Sequence, residues 1–255
     1  MQVQNSYYWF ESALTPDQCQ KIIDLGVSEI ERIKKAGGTA EATTFGDNHK
    51  QAMKDAIPQS DKTIEEVKAE VGEDKNIEQE RYIRDSEISW LNDQWLYDLI
   101  HPFLRTANKN AGWKYEWDFS ESFQFTKYGP GQFYGWHADG NSCHFGRYKR
   151  FIPGVSPTTP DGRALKGYTD NPNMIGKVRK LSMTINLNKP GEYDGGNLKF
   201  DFGPHATGKR FHEVTEIRPQ GSIIVFPSFT YHQVTPVTRG TRYSLVLWSL
   251  GQPFV

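Results

Sequence analysis

The sequence has little cysteine and no long apolar stretch. Its 255 residues include two cysteines, Cys19 and Cys143, whereas small disulfide-linked scaffolds carry more cysteines at closer spacings. No run approaches the ~18 consecutive apolar residues of a membrane-spanning helix, and the first residues lack the basic and apolar regions of a signal peptide. We therefore expect a cytoplasmic protein without a membrane segment.

The chain also lacks an excess of either charge. Lysine and arginine total 30 against 31 aspartate and glutamate residues, so the net charge of −1 gives no overall field that favours nucleic acid or an acidic membrane. Hydrophobic residues at 36% and charged residues at 24% exclude a collagen-like or wholly disordered chain. Aromatic residues at 13% suit a β-rich core. The sequence does not indicate an oligomeric state.

Two segments of the first half have the pattern of packing helices. In residues 15–38, a capping box at 15–18 places proline at the first helical position, apolar residues follow near a 3.6-residue period, and a Gly-Gly pair ends the pattern. Residues 92–110 show a second amphipathic pattern with Asn92 or Asp93 as the N-cap. We expect both helices to support a core and to take no part in chemistry.

After Gly112 the pattern changes to short strands separated by turn residues. The runs are rich in β-branched and aromatic residues, which favours a sandwich or jelly roll. Because the helices need a sheet to bury their apolar faces, we expect one domain over 1–255, with helical support and a charged insertion in 1–112 and the β core in 113–255. The predicted strands are 115–127, 132–138, 180–188, 197–202, 211–218, 222–226, 230–235 and 241–249.

Two segments stand apart in charge. Residues 47–87 contain 12 acidic and 7 basic residues, which predicts a solvated, partly helical excursion. Residues 140–179 contain six glycines, four prolines and seven basic residues against two acidic ones, without clear periodicity. Such a long loop in a compact domain is either a tolerated insertion or a functional lid. If the loop lies near a binding site, its basic residues, Arg147 among them, favour an acidic or carboxylate-flanked substrate.

Four residues in the β region form a pattern that suggests chemistry. His137 and Asp139 are two residues apart in a predicted strand, so both side chains can reach one ion. With a distant His232 as the third ligand, these two residues complete the two-His, one-carboxylate triad that leaves positions open on Fe(II). Arg242 lies in an apolar strand, where a guanidinium is costly unless it meets an anion such as a carboxylate. Each residue alone has a structural explanation, and the combination is far more specific.

The order of these residues resembles the iron(II)/2-oxoglutarate dioxygenase superfamily, and within it the prolyl 4-hydroxylase-like branch. Residues 128–139 resemble the branch's Y-x-x-G-x-x-Y-x-x-H-x-D, and residues 181–187 resemble its following core strand. Residues 193–198 resemble Y-x-G-G-x-L, with Asn197 where the branch often has Glu, and residues 232–242 resemble the distal ligand and the anion-binding arginine. The resemblance covers roughly 113–250 and implies a double-stranded β-helix, or jelly roll, mainly β with flanking helices.

The resemblance implies a role for particular residues. His137, Asp139 and His232 would bind Fe(II), and Arg242 would pair with the far carboxylate of the cosubstrate 2-oxoglutarate. O₂ would be the second cosubstrate and ascorbate the reductant. The residues around the pocket would include Tyr128, Asn186 and Thr184 for the cosubstrate, and Trp248 and Tyr134 for the substrate, with packing roles open for the last two. Arg147 is a further candidate for the substrate, from the basic loop and not from the resemblance.

The implied reaction is hydroxylation of a C–H bond with succinate and CO₂ as coproducts. Resemblance favours a prolyl residue of a protein or peptide, while lysyl residues, free amino acids and other small molecules stay open as substrates. Two other classes also stay open: a cupin-like dioxygenase that uses no cosubstrate, and a non-catalytic binding module on the same barrel. A zinc site through Cys143 and His144 lacks the four ligands of a structural zinc centre.

Overall fold

A computed structural model describes residues 5–42, 84–140, 171, 173–174, 176–203 and 209–254. These residues form two helices and three antiparallel sheets. In chain order the elements are β1 (Tyr8–Phe10), α1 (Pro16–Lys35), β2 (Arg84–Asp85), β3 (Glu87–Leu91), α2 (Gln94–Asn110), β4 (Phe119–Ser120), β5 (Phe123–Tyr128), β6 (Phe133–His137), β7 (Val178–Asn186), β8 (Tyr193–Gly195), β9 (Leu198–Asp201), β10 (Phe211–Glu213), β11 (Ile223–Pro227), β12 (Tyr231–Val234), β13 (Val237–Gly240) and β14 (Arg242–Gly251).

The larger sheet and the smaller sheet supply opposite walls of one pocket. The larger, seven-stranded sheet has the order β1-β11-β7-β14-β5-β3, with β4 paired to β14. The smaller, five-stranded sheet has the order β10-β9-β12-β6-β2, and β13 pairs with β8 in a separate ribbon. Pocket-lining residues come from β5, β7, β11 and β14 on one side and from β2, β6, β9 and β12 on the other. This architecture confirms the prediction of a mainly β fold with flanking helices.

Alternation along the larger sheet separates the core from the pocket. In β5, Phe123 and Phe125 belong to the main hydrophobic core, whereas Gln124, Thr126 and Tyr128 line the pocket. The same two-residue period continues in β14, where leucines pack into the core and the intervening residues line the pocket. Both faces are therefore covered, and one face can hold polar groups because it borders a cavity.

The helices pack on the core face, as predicted. The capping box of α1 is present, since Thr15 Oγ1 accepts from the backbone N–H of Gln18 and the Gln18 side chain accepts from the backbone N–H of Thr15. The helix ends at Lys35 and not at residue 38, because Gly37 has a left-handed φ of 77° that a helix cannot continue through. In α2 the N-cap is Asp93, without a side-chain capping bond.

The first part of the chain also contributes strands that the sequence pattern did not predict. β1, β2 and β3 lie within 1–112, and each of them pairs with a strand of the core. β2 and β3 occupy the end of the segment 47–87, so that end is not a solvated excursion. Residues 43–83 lie outside the described part of the chain.

The remaining predicted strands need smaller corrections. The run 115–127 is divided into β4 and β5, and the run 211–218 ends at Glu213. β8 and β13 pair only with each other, and such short strands give little periodic signal. The loop predicted over 140–179 ends before Val178, where β7 begins. No helix among the described residues is long and apolar enough to cross a membrane.

Candidate metal and anion site

Three predicted ligands converge between neighbouring strands of the smaller sheet. His137 ends β6, His232 lies in β12, and the two are paired across the strands. Asp139 follows β6 and lies between them, with Oδ1 3.6 Å from His137 Nε2 and Oδ2 3.6 Å from His232 Nε2. The three ligand atoms lie within 4.8 Å of one another. Antiparallel pairing of β6 with β12 therefore brings together residues that are far apart in the sequence.

Backbone carbonyls orient both imidazoles. His137 Nδ1 lies 2.8 Å from the carbonyl oxygen of Gly135, and His232 Nδ1 lies 2.9 Å from that of Thr230. Because a carbonyl only accepts, each Nδ1 carries the proton and each Nε2 keeps its lone pair toward Asp139. Hydrogen bonds of this kind are the usual way in which proteins fix a metal-binding histidine.

The electrostatics favour the metal-binding protonation states. Burial opposes charge on Asp139, but the neighbouring His232 and His137 outweigh it and hold the pKa of the carboxyl well below its usual range. Burial and the nearby His137 lower the pKa of His232 to about 4. The site thus presents a carboxylate and a neutral imidazole, which are the forms that coordinate a metal ion.

The donor set fits ferrous iron. Two neutral imidazoles and one carboxylate are the facial ligands of non-haem Fe(II) sites, which keep further coordination positions open. Within the described part of the chain, no fourth histidine, cysteine, aspartate or glutamate joins His137, Asp139 and His232. A structural zinc centre, by contrast, is closed by four ligands. Cys143 and His144 lie outside the described residues.

Arg242 supplies a buried cation in the same pocket. It is 2% exposed, its Nη1 donates to Ser244 Oγ at 3.1 Å, and its Nε is buried without a hydrogen-bond partner among the described residues. Gly196, at φ 56°, makes room for it, since a Cβ there would lie 2.8 Å from Arg242 Cδ. Tyr128 is its strand partner and places its ring 5.4 Å from the guanidinium. An unsatisfied buried guanidinium is costly and calls for an anion.

The other predicted site residues divide into three groups. Thr184, Tyr134 and Trp248 line the pocket, and Tyr134 stacks on His137 with ring centroids 3.5 Å apart. Asn186 is not part of that lining, because its amide donates to the backbone carbonyl of Arg218 at 2.9 Å. Arg147 lies outside the described residues.

Trp248 is held in place by an ion pair that the sequence did not reveal. The Arg179 guanidinium stacks 3.9 Å over its ring and donates to both carboxylate oxygens of Glu121, at 2.5 and 2.7 Å. Lys177 likewise pairs with Asp118 at 2.7 Å. These two basic residues of the segment 140–179 are therefore committed to structural pairs at the start of β7.

The pocket also contains polar residues that sequence reasoning missed. Arg84, Gln124, Thr126 and Ser244 line it together with the predicted residues. Arg84 lies in the segment 47–87, whose charge content predicts a solvated excursion and gives no sign of a pocket residue. The short run 88–91, in which three of four residues are β-branched, aromatic or aliphatic, follows Arg84 and was the available signal for a strand.

Comparison with known proteins identifies the family. A model of the 2OG-Fe(II) oxygenase superfamily matches residues 123–250, which include every member of the metal triad and Arg242. The chain belongs to the 2OG-Fe(II) oxygenase superfamily. Membership agrees with the predicted resemblance and with a site for Fe(II) and 2-oxoglutarate.

Relatives of this chain include PKHD-type hydroxylases. One from Synechococcus sp. (strain JA-2-3B'a(2-13)) is 34% identical over 91 residues, covering 34% of this chain and 38% of the relative. One from Nitrobacter winogradskyi is 41% identical over 71 residues and covers 27% of each. The chain thus spans well under half the length of these curated relatives.

A solved structure supports the jelly-roll fold. The crystal structure of a Pseudomonas putida prolyl-4-hydroxylase matches with a TM-score of 0.52 and 18% identity, over 97% of this chain and 94% of that one. At this identity the likeness concerns the fold alone. It confirms the predicted double-stranded β-helix supported by helices.

Proposed function

We propose that this protein is an Fe(II)- and 2-oxoglutarate-dependent dioxygenase that hydroxylates a C–H bond of a prolyl residue in a protein or peptide, with succinate and CO₂ as coproducts. One observation carries the proposal: a largely buried two-His, one-carboxylate triad shares a pocket with a buried arginine that lacks an anion. The proposal treats residues 1–255 as a single domain located in the cytoplasm.

Each triad residue has a defined task in this proposal. His137, Asp139 and His232 hold Fe(II), and the Nδ1–H bonds to Gly135 and Thr230 keep both imidazoles aimed at the ion. The bound metal supplies activation of O₂, and ascorbate serves as the reductant that keeps it ferrous. The surrounding protein positions the substrate and excludes competing reactions.

Arg242 and its neighbours hold the cosubstrate. The guanidinium meets the far carboxylate of 2-oxoglutarate, and the orphaned Nε gains a hydrogen-bond acceptor in this way. Tyr128, on the strand partner, and Thr184, on β7, border the same space and can donate hydroxyl hydrogen bonds. Asn186 has a positioning role here, since its amide ties β7 to the loop at Arg218.

Support for a prolyl substrate comes from relatives. The similar proteins are named PKHD-type hydroxylases, and the structural neighbour is a prolyl-4-hydroxylase. Tyr134 and Trp248 form apolar walls that suit a pyrrolidine ring, and burial raises the pKa of Tyr134 to about 12, so it stays a neutral donor. Arg147 is assigned to the substrate from the sequence alone. Lysyl residues, free amino acids and small molecules are the alternative substrates.

An anaerobic titration tests the cofactor assignment. Adding Fe(II) and 2-oxoglutarate to the protein is expected to produce the visible charge-transfer band of a metal–oxoacid chelate. His137→Ala should abolish the band, whereas His212→Ala, in the same sheet but outside the triad, should keep it. A wild-type protein without the band, or an undiminished band in His137→Ala, contradicts the proposal.

Product analysis tests the reaction. Incubation with Fe(II), 2-oxoglutarate, ascorbate and a peptide library should yield products with one added oxygen atom, with succinate formed in equal amount. Hydroxylation without succinate would identify an enzyme that uses no cosubstrate. A chelate band with no turnover on any peptide or small molecule would identify a binding module.

A further inference from the structure

Arg84 is a second buried guanidinium in the pocket, and the proposed cofactors leave it without a counterion. The residue is 7% exposed and lines the pocket from β2. Among the residues that the structure describes, no carboxylate forms an ion pair with Arg84; its partners are the neutral side chains of Ser86 and Gln124. A buried arginine of this kind is rare unless an anion joins it.

Two hydrogen bonds hold the guanidinium of Arg84 in the wall of the pocket. Nε donates to Ser86 Oγ at 3.1 Å and Nη2 donates to Gln124 Oε1 at 2.6 Å. Nη1 makes no hydrogen bond with the described residues, and it is not among the fully buried unsatisfied atoms, so it keeps some exposure in a residue that lines the pocket. The two bonds fix the plane of the guanidinium, so its remaining donors are preorganised for an acceptor.

The Arg84 guanidinium is distinct from that of Arg242 and lies close to the metal-binding residues. Arg84 is bonded to Gln124, whereas Arg242 pairs with Tyr128, so the two guanidinium groups are held at positions of β5 that are four residues, roughly 13 Å of strand, apart. The Arg84 guanidinium lies 4.5 Å over the ring of Tyr134, and that ring stacks on the ligand His137. A single aromatic ring therefore connects Arg84 to the reaction centre.

Charge balance points to an anionic substrate. Ferrous iron, Asp139, 2-oxoglutarate and Arg242 together sum to zero charge. Arg179, near the same pocket, is neutralised by Glu121. Arg84 therefore leaves one positive charge after the cofactors are bound, and an uncompensated buried charge is costly.

We propose that Arg84 binds a carboxylate carried by the substrate beside the carbon that is hydroxylated. The inference rests on the proposed function and adds a substrate class to it. The carboxylate comes either from the α-carboxylate of an amino acid or from an acidic residue next to the target in a peptide. Arg84 is thus a substrate-binding residue that selects by charge.

Matched pairs of compounds test this inference. The probes are N-acetyl-L-proline and its amide, N-acetyl-L-lysine and its amide, and capped Pro-Glu and Pro-Gln peptides. Binding is measured by saturation-transfer NMR and turnover by succinate formation. The wild type should favour the carboxylate member of at least one pair by about tenfold or more, and the pair that responds identifies the source of the carboxylate.

Variants of Arg84 test whether this residue causes the preference for the carboxylate compounds. Arg84→Gln should bring the carboxylate-to-amide ratio close to one, and Arg84→Lys should keep part of it because the charge remains. Arg105→Gln removes an exposed arginine of α2 and should keep the full ratio. Circular dichroism and the iron–2-oxoglutarate band verify that each variant is folded and loaded.

The outcomes separate the two proposals. A missing chelate band in the wild type counts against the proposed function. A normal band with no carboxylate preference in any pair, or with the preference intact in Arg84→Gln, overturns the role of Arg84. An equal loss for both members of every pair would show a structural role only and would also overturn it.

Discussion

At the scale of single residues, the pocket places charges where burial makes them expensive. Arg242 is almost fully buried with an unsatisfied Nε, and Asp139 is buried between two imidazoles. The orphaned Nε of Arg242 does not stabilise the protein without a ligand, because burying an unpaired polar group costs free energy. It becomes favourable when a carboxylate enters.

Replacement of Arg242 should separate ligand binding from stability. We expect Arg242→Met to weaken 2-oxoglutarate binding about 10- to 100-fold, because one charge-assisted pair contributes about 1.5–3 kcal/mol. The free energy of unfolding without ligand should not fall, since the variant removes an unsatisfied cation. Isothermal titration calorimetry and urea unfolding measure the two effects.

The matched control for this variant is Arg239→Met. Arg239 is exposed and pairs with Asp194, so its loss should change either quantity by less than about 0.5 kcal/mol. Equal 2-oxoglutarate affinity in Arg242→Met and the wild type would show that the anion binds elsewhere.

His101 should make stability depend on pH. Burial, and then the charge of Arg105, lower the pKa of His101, whose ring contacts Tyr97 and Trp117. Its folded pKa is therefore below the unfolded value of about 6.5, so the stability it contributes is present above that pH and is lost as the pH falls. Urea unfolding at about pH 7.5 and 5.5 measures this loss. The free energy of unfolding should differ less between the two pH values in His101→Gln than in the wild type. An unchanged difference would exclude His101 as a source.

At the scale of elements, α1 packs unusually close to the larger sheet. A Cβ on Gly26 would lie 2.2 Å from the ring of Phe125, and the carbonyl of Gly26 accepts a hydrogen bond from Ser89 Oγ at 2.9 Å. Glycine within a helix normally costs about 1 kcal/mol relative to alanine. Here the close approach of helix and sheet outweighs that cost.

Adding a methyl group at this contact should destabilise the fold. We expect Gly26→Ala to lower the free energy of unfolding by about 1–3 kcal/mol through overpacking, despite its better helix propensity. Ser28→Ala, at an exposed position of α1, should stay within about 0.5 kcal/mol. Denaturant unfolding compares them, and a stabilised Gly26→Ala would show that the helix can move away from Phe125.

At the scale of the whole molecule, helices and sheets share one core. The main cluster joins Ile22 of α1 and Leu96 of α2 to Phe125 of β5 and Leu245 of β14. From the N-terminal part of the chain, β1 and β3 join the larger sheet and β2 joins the smaller sheet. The metal site therefore depends on parts of the chain that contain none of its ligands.

The proposal of a single domain predicts one cooperative transition. Calorimetry of the full chain should give equal calorimetric and van't Hoff enthalpies. The fragment 113–255 should fail to fold, because it lacks the edge strand β3 and also the helices α1 and α2 that cover the core face of β5. A folded fragment that still binds Fe(II) would contradict the single-domain proposal.

Local sequence pattern predicted much of this fold. The capping box of α1 and the amphipathic period of α2 are short-range features, and both helices form where expected. The spacing of His137, Asp139, His232 and Arg242 indicated the site, because a strand period and a chemical type can be recognised without coordinates. Asn186 could not be judged in this way, since its hydrogen bond to a distant loop removes it from the pocket lining.

The identities and strand positions of the four key residues are properties of the chain itself, because they follow from local periodicity and side-chain chemistry. Their convergence is a property of the packed sheets, because β6 meets β12 only through long-range pairing. A second long-range pairing attaches β2 to the other edge of β6 and places Arg84, from a charge-rich segment, in the pocket wall. A guanidinium in water needs no partner, and only its burial between two sheets makes it a binding group.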